Sequence, residues 1–281
     1  MTPRFSYVTN GLADHRLGDA LVLLAEHGYQ GVAITLGHHH LDPFAPDLRT
    51  NLRELTRLLE RLGLAVAIET GARFVLDARR KHEPSLISER RERRLDLLWR
   101  AIDIAAALGA EGVSFFSGVT PTGVPGDAAW GRLMDGCAQL LERAAAREVL
   151  LGLEPEPGML IERVGDYEEL ARRLGSPKRL GVTLDLGHCL CLEEEPVGSC
   201  ILRAGPRLVS VHIEDMRRGV HEHLDFGEGE MDFPAALSAL EQAGYRGLVS
   251  VELPRHSHLA HLMIPHAIRF LRSAASDGHK A

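Results

Sequence analysis

Short apolar segments alternate with longer amphipathic ones along the whole chain. The short segments have the length and β-branched content of buried strands, and the longer ones repeat their apolar residues at helical spacing. This pattern predicts eight strands, near residues 5–8, 31–36, 64–68, 112–116, 149–153, 180–184, 208–211 and 248–251. It also predicts helices near residues 17–26, 48–62, 90–108, 128–147, 167–174 and 260–271, and one more that begins at Pro234.

Alternation of strands and helices indicates right-handed parallel crossovers. Eight such units without a break in composition predict an α/β fold, a (β/α)8 TIM barrel in a single domain. We place the barrel in residues 1–274 and expect residues 275–281 to form a short polar C-terminal tail. A doubly wound open sheet is the alternative, but no Gly-x-Gly-x-x-Gly motif follows an early strand.

Composition and charge restrict the classes of partner. The 281 residues carry a formal charge of −7, which gives no general attraction to nucleic acid or to an anionic membrane. The chain has no run of about eighteen apolar residues, and its first ten residues lack the apolar core of a signal peptide. We therefore expect a cytoplasmic protein that acts on a small molecule and uses neither nucleic acid nor a membrane as a partner. The apolar helix faces could cover the barrel or a second subunit, so monomer and homodimer both stay open.

Acidic and imidazole side chains recur at the ends of four consecutive predicted strands. They are Glu154 after the fifth strand, Asp185 after the sixth, His212 at the seventh and Glu252 at the eighth. In a TIM barrel the carboxyl ends of the strands meet at one mouth, where the chemistry takes place. Three carboxylates and one imidazole suit Mn²⁺, Mg²⁺ or Co²⁺ with open positions for substrate oxygens, and Zn²⁺ is an alternative. The sequence therefore predicts a divalent-metal site at the mouth.

The segments that carry these residues are LEPEPG, TLDLGH, VSVHIEDMRRG and VSVEL. In this order they resemble the xylose isomerase-like barrel superfamily, which includes ketose 3-epimerases, hydroxypyruvate isomerase, inosose dehydratase and endonuclease IV. The resemblance covers essentially the whole chain and implies that the same four residues bind the metal. It also implies that Glu154 and Glu252 form the acid/base pair found in the epimerases. Arg218 matches an epimerase arginine that holds the substrate, and His188 matches a substrate-binding histidine of the epimerases and a metal ligand of the endonuclease.

The polar segment between His212 and Phe233 resembles the endonuclease branch instead. In its motif Asp-x-His-x-x-x-Gly-x-Gly, His223 matches a ligand and His221 stands where the endonuclease has aspartate. The resemblance thus implies either a second metal held by His188, His221 and His223 or a role for these histidines in substrate binding. We therefore expect one bound metal ion, or two if the histidines hold a second.

Two departures from the endonuclease pattern limit this comparison. The endonuclease has histidines at the ends of its third and fourth strands, where this chain has Glu69 and Phe116. Glu69 could replace a ligand, but phenylalanine cannot bind a metal. We therefore do not expect a three-metal cluster or cleavage of nucleic acid at abasic sites.

Further polar residues stand near the predicted mouth. Glu156 follows Glu154 by two residues and could replace it as the ligand, although we favour Glu154. His38 ends the second strand, and Arg73 lies in the long connection after the third, where it could hold a carboxylate or phosphate. We expect substrate contacts from Glu156, Glu69, His38 and Arg73, with a solvated surface position as the alternative for His38 and Arg73.

These inferences favour a metal-dependent isomerase or epimerase of a keto-sugar, a cyclitol or a similar polyhydroxy carbonyl. The metal would stabilise the enediolate that forms when a proton leaves the carbon next to the carbonyl, with Glu154 and Glu252 as acid and base. A lyase or dehydratase acting on the same intermediate is the first alternative. The others are a dinuclear-metal hydrolase related to endonuclease IV and a barrel that only binds a sugar.

Overall fold

The computed structural model describes residues 3–277 of the chain. This part contains ten strands: β1 (Arg4–Val8), β2 (Gly31–Thr35), β3 (Ala65–Glu69), β4 (Val113–Phe116), β5 (Leu151–Glu154), β6 (Leu180–Asp185), β7 (Leu208–Ile213), β8 (Asp215–Arg217), β9 (Val220–Leu224) and β10 (Leu248–Val251). Eight of them close into a barrel in the order β1-β10-β7-β6-β5-β4-β3-β2, while β8 and β9 form a separate hairpin. All neighbouring barrel strands are parallel. The predicted TIM barrel is confirmed.

Helices connect the barrel strands and cover their outer side. Within residues 3–277 they are α1 (Leu17–Glu26), α2 (Leu48–Leu62), α3 (Glu92–Leu108), α4 (Gly126–Arg147), α5 (Val164–Arg173), α6 (Leu186–Leu192), α7 (Val197–Ala204), α8 (Phe233–Gln242) and α9 (Ala260–Asp277). Helix α9 runs three residues into the segment expected to be a tail, and residues 278–281 lie outside the described part. None of the described helices is both long enough and apolar enough to cross a membrane.

Residues along each barrel strand alternate between two environments. In β1, Phe5 and Tyr7 belong to the large apolar core, whereas Val8 joins a small apolar cluster with residues of other strands. This separation follows from the period of two along a strand, which turns successive side chains to opposite faces. The large core lies between barrel and helices, so the interior positions are free to carry other side chains.

Small hydroxyl side chains pair inside the barrel, below its mouth. The hydroxyls of Ser6 and Ser250 are 2.6 Å apart, and so are those of Ser114 and Thr183. Ser114 in β4 and Thr183 in β6 make this second contact across the intervening strand β5, next to Gly152. A Cβ atom added at Gly152 would come within 2.3 Å of the Thr183 hydroxyl. Glycine is therefore required at this close approach. The paired hydroxyls form a polar layer one or two residues before the strand ends.

A buried arginine holds the long connection between β3 and α3. Arg94 is 2 % exposed, and its guanidinium donates hydrogen bonds to the carbonyl oxygens of Pro84 (2.9 Å) and His82 (2.8 Å). It also lies 5.2 Å from the centre of the Phe116 ring. Because a buried guanidinium needs partners of this kind, the contacts fix the backbone of the connection beside the end of β4.

The chain after β7 departs from the prediction. We expected an irregular polar loop from His212 to Phe233, but its first half folds into the antiparallel hairpin of β8 and β9. The turn lies at Gly219, whose φ of 75° is in the left-handed region that favours glycine. The hairpin therefore fixes the position of two histidines that a loop would leave free.

We expect Arg94→Met to lower the free energy of unfolding by about 2–4 kcal/mol, because two buried carbonyls lose a charged donor that methionine cannot replace. Urea denaturation measures the change. The matched variant Arg93→Met, at an exposed position one residue away, should change the same quantity by less than about 0.5 kcal/mol. Equal destabilisation by the two substitutions would contradict the anchoring role of Arg94.

Candidate metal centre

Four strands bring side chains to one point of the barrel mouth. Glu154 ends β5, Asp185 ends β6, His212 lies in β7 and Glu252 directly follows β10. One ligand atom of each lies within 4.8 Å of those of the other three. The structure thus brings together the four residues that the strand-end pattern singled out.

His212 lies between two of the carboxylates. Its Nδ1 is 3.1 Å from Glu154 Oε1 and 2.9 Å from Glu252 Oε2. The other oxygen of Glu252 accepts a hydrogen bond from the side-chain amide of Asn10 at 2.7 Å. The sequence analysis missed Asn10, although it follows β1 by two residues and the same strand-end rule would have found it.

This donor set fits a divalent cation. Glu154 and Asp185 are 5 % and 1 % exposed, so their carboxylates are held close together with little water around them. Asp185 Oδ2 is buried and has no hydrogen-bond partner among the described residues. Buried charges are normally paired or bound to metals, and carboxylate oxygens with an imidazole nitrogen are donors for Mn²⁺, Mg²⁺, Co²⁺ and Zn²⁺. The residues present therefore suit the predicted metal.

The two facing glutamates are in different electrostatic environments. Burial raises the pKa of Glu154 to about 7, although the adjacent His212 acts in the opposite direction. Burial also opposes ionisation of Glu252, but the nearby charge of His212 outweighs it and lowers the pKa of Glu252. Burial disfavours the charged form of His212, and its two glutamate neighbours outweigh that effect and raise its pKa. His212 and Glu252 thus form an ion pair, and Glu154 exchanges its proton near neutral pH.

Glu156 lies beside this group rather than in it. Burial, with the negative charges of Glu252 and Asp185, raises the pKa of Glu156 to about 7. Its Oε2 is 3.8 Å from His188 Nδ1, and it lines the same pocket as Glu154. This position favours Glu154 as the ligand and Glu156 as a contact for substrate.

Glu69 forms another part of the pocket wall. It ends β3, is 3 % exposed, and its Oε2 accepts a hydrogen bond from the backbone N–H of Gly71 at 2.9 Å. Burial, reinforced by the charge of Glu154, raises the pKa of Glu69 well above its ordinary value. A protonated carboxyl at this position can donate a hydrogen bond as well as accept one.

Three histidines meet on one side of the four-residue group. His188 lies in α6, and His221 and His223 lie in β9. The Nε2 atoms of His188 and His221 are 3.1 Å apart, and one nitrogen of His223 lies within 4.8 Å of both rings' ligand atoms. His188 Nδ1 is 3.2 Å from the carbonyl oxygen of Pro155, which can only accept. A hydrogen bond to this oxygen requires a proton on Nδ1, which leaves Nε2 directed at the other two histidines.

A buried carboxylate that the sequence analysis missed lies next to His223. Glu214 is 0 % exposed, and its Oε1 is 3.6 Å from His223 Nδ1. Burial and the charge of Asp185 raise the pKa of Glu214. Burial opposes the charged form of His223, but Glu214 outweighs this and raises the pKa of His223 to about 10. Burial and the two neighbouring histidines lower the pKa of His221 to about 4. Of the two histidines in β9, His221 is therefore the neutral one and His223 the charged one.

Three of the remaining predicted residues have different surroundings. Arg73 lines the metal pocket, together with Lys81 of the same connection. His38 lines an adjoining cleft, where its Nδ1 is 2.9 Å from Asp42 Oδ2. Arg218 lies near the hairpin turn, and its guanidinium donates to the carbonyl oxygen of Glu193, at the end of α6, at 2.7 Å. The geometry therefore gives no support to Arg218 as a substrate contact, because the hairpin ties its side chain to α6.

Comparison with known proteins identifies the family of the chain. The profile of a family described as xylose isomerase-like TIM barrel matches residues 21–274. The chain belongs to this family. The resemblance inferred from the four strand-end motifs is confirmed.

Two curated relatives differ in how much of their length is matched. L-ribulose-5-phosphate 3-epimerase UlaE of Shigella flexneri serotype 5b is 27% identical over 231 residues, which cover 79% of this chain and 80% of the relative. Rhizopine catabolism protein MocC of Rhizobium meliloti is 31% identical over 150 residues, 47% of this chain. This chain therefore spans under half of MocC, 44% of its length.

Solved structures share the fold along almost the entire chain. An L-ribulose 3-epimerase has a TM-score of 0.79 at 20% identity, with 99% of this chain and 96% of that chain covered. The 3-keto-D-glucoside 4-epimerase YcjR from E. coli has a TM-score of 0.76 at 18% identity, with coverage of 97% and 100%. At these identities the likeness shows the common barrel.

The buried glutamates should make the metal-free protein less stable as pH rises. Burial moves the pKa of Glu154 and Glu156 from an ordinary 4.5 to about 7, so the folded state binds more protons than the unfolded chain between these values. Their stabilising contribution is complete below about pH 4.5 and is lost as pH rises through about 7.

We therefore expect the urea midpoint of protein treated with chelator to be higher at about pH 5 than at about pH 7.5, and Mn²⁺ to restore it at the higher pH. The variant Glu156→Gln should show a smaller difference between the two pH values. A pH difference that is the same in Glu156→Gln as in the unaltered protein would contradict the protonation assigned to Glu156.

Proposed function

We propose that the protein is a divalent-metal-dependent isomerase or epimerase of a keto-sugar, a cyclitol or a similar polyhydroxy carbonyl. The observation that carries this proposal is the convergence of Glu154, Asp185, His212 and Glu252 at the barrel mouth. The family supports it, and so does the match to a relative named as a sugar-phosphate epimerase along 79% of this chain. The chain is an enzyme of the sugar isomerase and epimerase type.

The four converging residues would hold one Mn²⁺, Mg²⁺ or Co²⁺, with Zn²⁺ as an alternative. The bound cation would supply Lewis-acid stabilisation of the negative charge that develops on the substrate oxygens. Glu154 and Glu252 flank His212 and act as the acid/base pair: one takes the proton from the carbon next to the carbonyl, and the other returns a proton. Asn10 fixes the orientation of Glu252 through its hydrogen bond.

The site to which the proton returns decides the reaction. Return to the opposite face of the same carbon gives an epimer, whereas return to the former carbonyl carbon gives the isomeric sugar. Glu156 and Glu69 line the pocket with carboxyls whose pKa values burial raises, so they can bind substrate hydroxyls without two further negative charges. Arg73 supplies a cation at the pocket edge for an anionic group of the substrate.

Exchange of the substrate proton in deuterated water tests this chemistry. With Mn²⁺ bound, we expect deuterium to enter a ketose, a ketose phosphate or an inosose next to its carbonyl, together with formation of the epimer or isomer. Glu154→Gln and Glu252→Gln should each lower the rate by about 10²-fold or more, because each removes a group that moves the proton.

Glu222→Gln is the matched control, since Glu222 lines the same pocket but pairs with Arg255. It should keep most of the activity. Normal exchange rates in the two test variants would contradict the acid/base assignment. A product that absorbs ultraviolet light, formed with loss of water, would show a dehydratase instead.

A second candidate function is a lyase or hydrolase with a second cation held by His188, His221 and His223. The observation in its favour is the close approach of the Nε2 atoms of His188 and His221, of which the first carries a lone pair. A proton on His221 Nε2 would also satisfy this contact, so the number of bound metal ions decides between the two states.

Metal analysis of two alanine variants separates these functions. For the isomerase or epimerase we expect about one metal ion per chain, lost in His212→Ala and kept in His223→Ala. About two ions per chain, one of them lost in His223→Ala, would favour the lyase or hydrolase.

A further inference from the structure

A second cleft opens beside the metal pocket, next to the ends of β1, β2 and β3. It encloses about 450 Å³, against about 210 Å³ for the metal pocket, so it is about twice as large. Asn10, Gly71, Arg73 and Pro254 line both cavities. The two cavities therefore adjoin at these four residues, and we call them together the recess.

The floor of this recess carries buried polar atoms without a hydrogen-bond partner in the described part of the chain. They are Asn10 Oδ1, Thr35 Oγ1 and Glu69 Oε1. Thr35 and Glu69 pair in register at the ends of β2 and β3, and they are 8 % and 3 % exposed. Because buried polar groups are normally paired, and hydroxyl groups both donate and accept, a polyhydroxylated ligand suits this floor.

The rim of the cleft adds an aromatic face and polar side chains. Phe74 lines the cleft and is 51 % exposed, so its ring is open to a bound molecule. His39 lines the same cleft and is exposed as well. An exposed aromatic ring beside hydrogen-bonding groups suits the C–H face of a sugar or cyclitol ring. A single ring chelated at the metal would leave most of this surface to water.

We propose that the cleft is a second subsite, which binds a second hydroxylated ring joined to the sugar whose carbonyl lies at the metal. This inference rests on the proposed function and narrows its substrate class from polyhydroxy carbonyls in general to two-ring compounds such as keto-glycosides. Arg73, at the junction, lies where the linkage between the two rings would pass.

Calorimetric titration of the Mn²⁺-loaded enzyme with two probes tests the subsite. The one-ring probe is 3-keto-D-glucose, and the two-ring probe is 3-keto-trehalose, in which the same keto ring is bonded to a second glucose. We expect the two-ring probe to bind about tenfold more tightly, because it adds contacts to Phe74 and to the polar floor.

Two variants and one control locate this difference. Phe74→Ala and Thr35→Val should each remove most of the advantage of the two-ring probe and change the affinity for the one-ring probe by less than about twofold. His261→Ala, an exposed histidine of α9 outside the recess, should leave both affinities unchanged.

The remaining outcomes separate failure of the subsite from failure of the proposed function. Equal affinity for the two probes, or a two-ring advantage that survives both variants, would overturn the subsite and leave the proposed function intact. Deuterium exchange with a free ketose but no binding of the two-ring probe would do the same. Neither binding of a keto probe nor exchange with any ketose would overturn both.

Discussion

Crowding of negative charge at the barrel mouth is the constraint on which the site depends. Three carboxylates and one imidazole have ligand atoms within 4.8 Å of one another, and parallel strands hydrogen-bonded into a closed barrel hold their backbones in place. The closed barrel limits how far the backbones that carry these carboxylates can separate, and His212 supplies a single positive charge against them. A divalent cation resolves this repulsion, whereas a neutral ligand would not. This repulsion in the folded chain would favour binding of the proposed metal.

The four ligands could be predicted because strand geometry determines their direction. The apolar residues that identify β5, β6, β7 and β10 in the sequence are the ones that face the helices, and strand and helix alternation fixes which end of each strand opens at the mouth. A charged residue at that end, one position after an outward-facing apolar residue, must then point into the barrel mouth. The bounds of α1 and α2 also agree with the prediction residue for residue, because strong apolar spacing and a following glycine or turn mark both helices. These features depend on local sequence.

The parts of the site that escaped prediction depend on contacts between distant segments. The strands of the hairpin are short and carry polar residues on both faces, so the sequence shows no apolar and polar alternation there. Asp215 of one strand pairs with Leu224 of the other, on either side of the turn at Gly219. Glu214 becomes buried only because β7 and α6 pack closely, at Gly187, where a Cβ atom would come within 2.1 Å of Glu214 Oε1. The same packing explains the position of Arg218, which a motif comparison aligned with a substrate contact but which the hairpin joins to α6.

The connection after β3, which forms one wall of the pocket, is anchored in the protein interior. Arg94 donates hydrogen bonds to the carbonyls of His82 and Pro84, so an almost fully buried charged side chain fixes one end of the connection that carries Arg73, Phe74 and Lys81. Residues that line the two cavities are therefore tied to residues that stabilise the fold. Substrate preference can change through side chains at the exposed end of this connection, whereas changes at its buried end would also cost stability. In the proposed function the strands supply the metal ligands and the exposed end of this segment contacts the substrate, so substrate preference could change there without a change in the ligands.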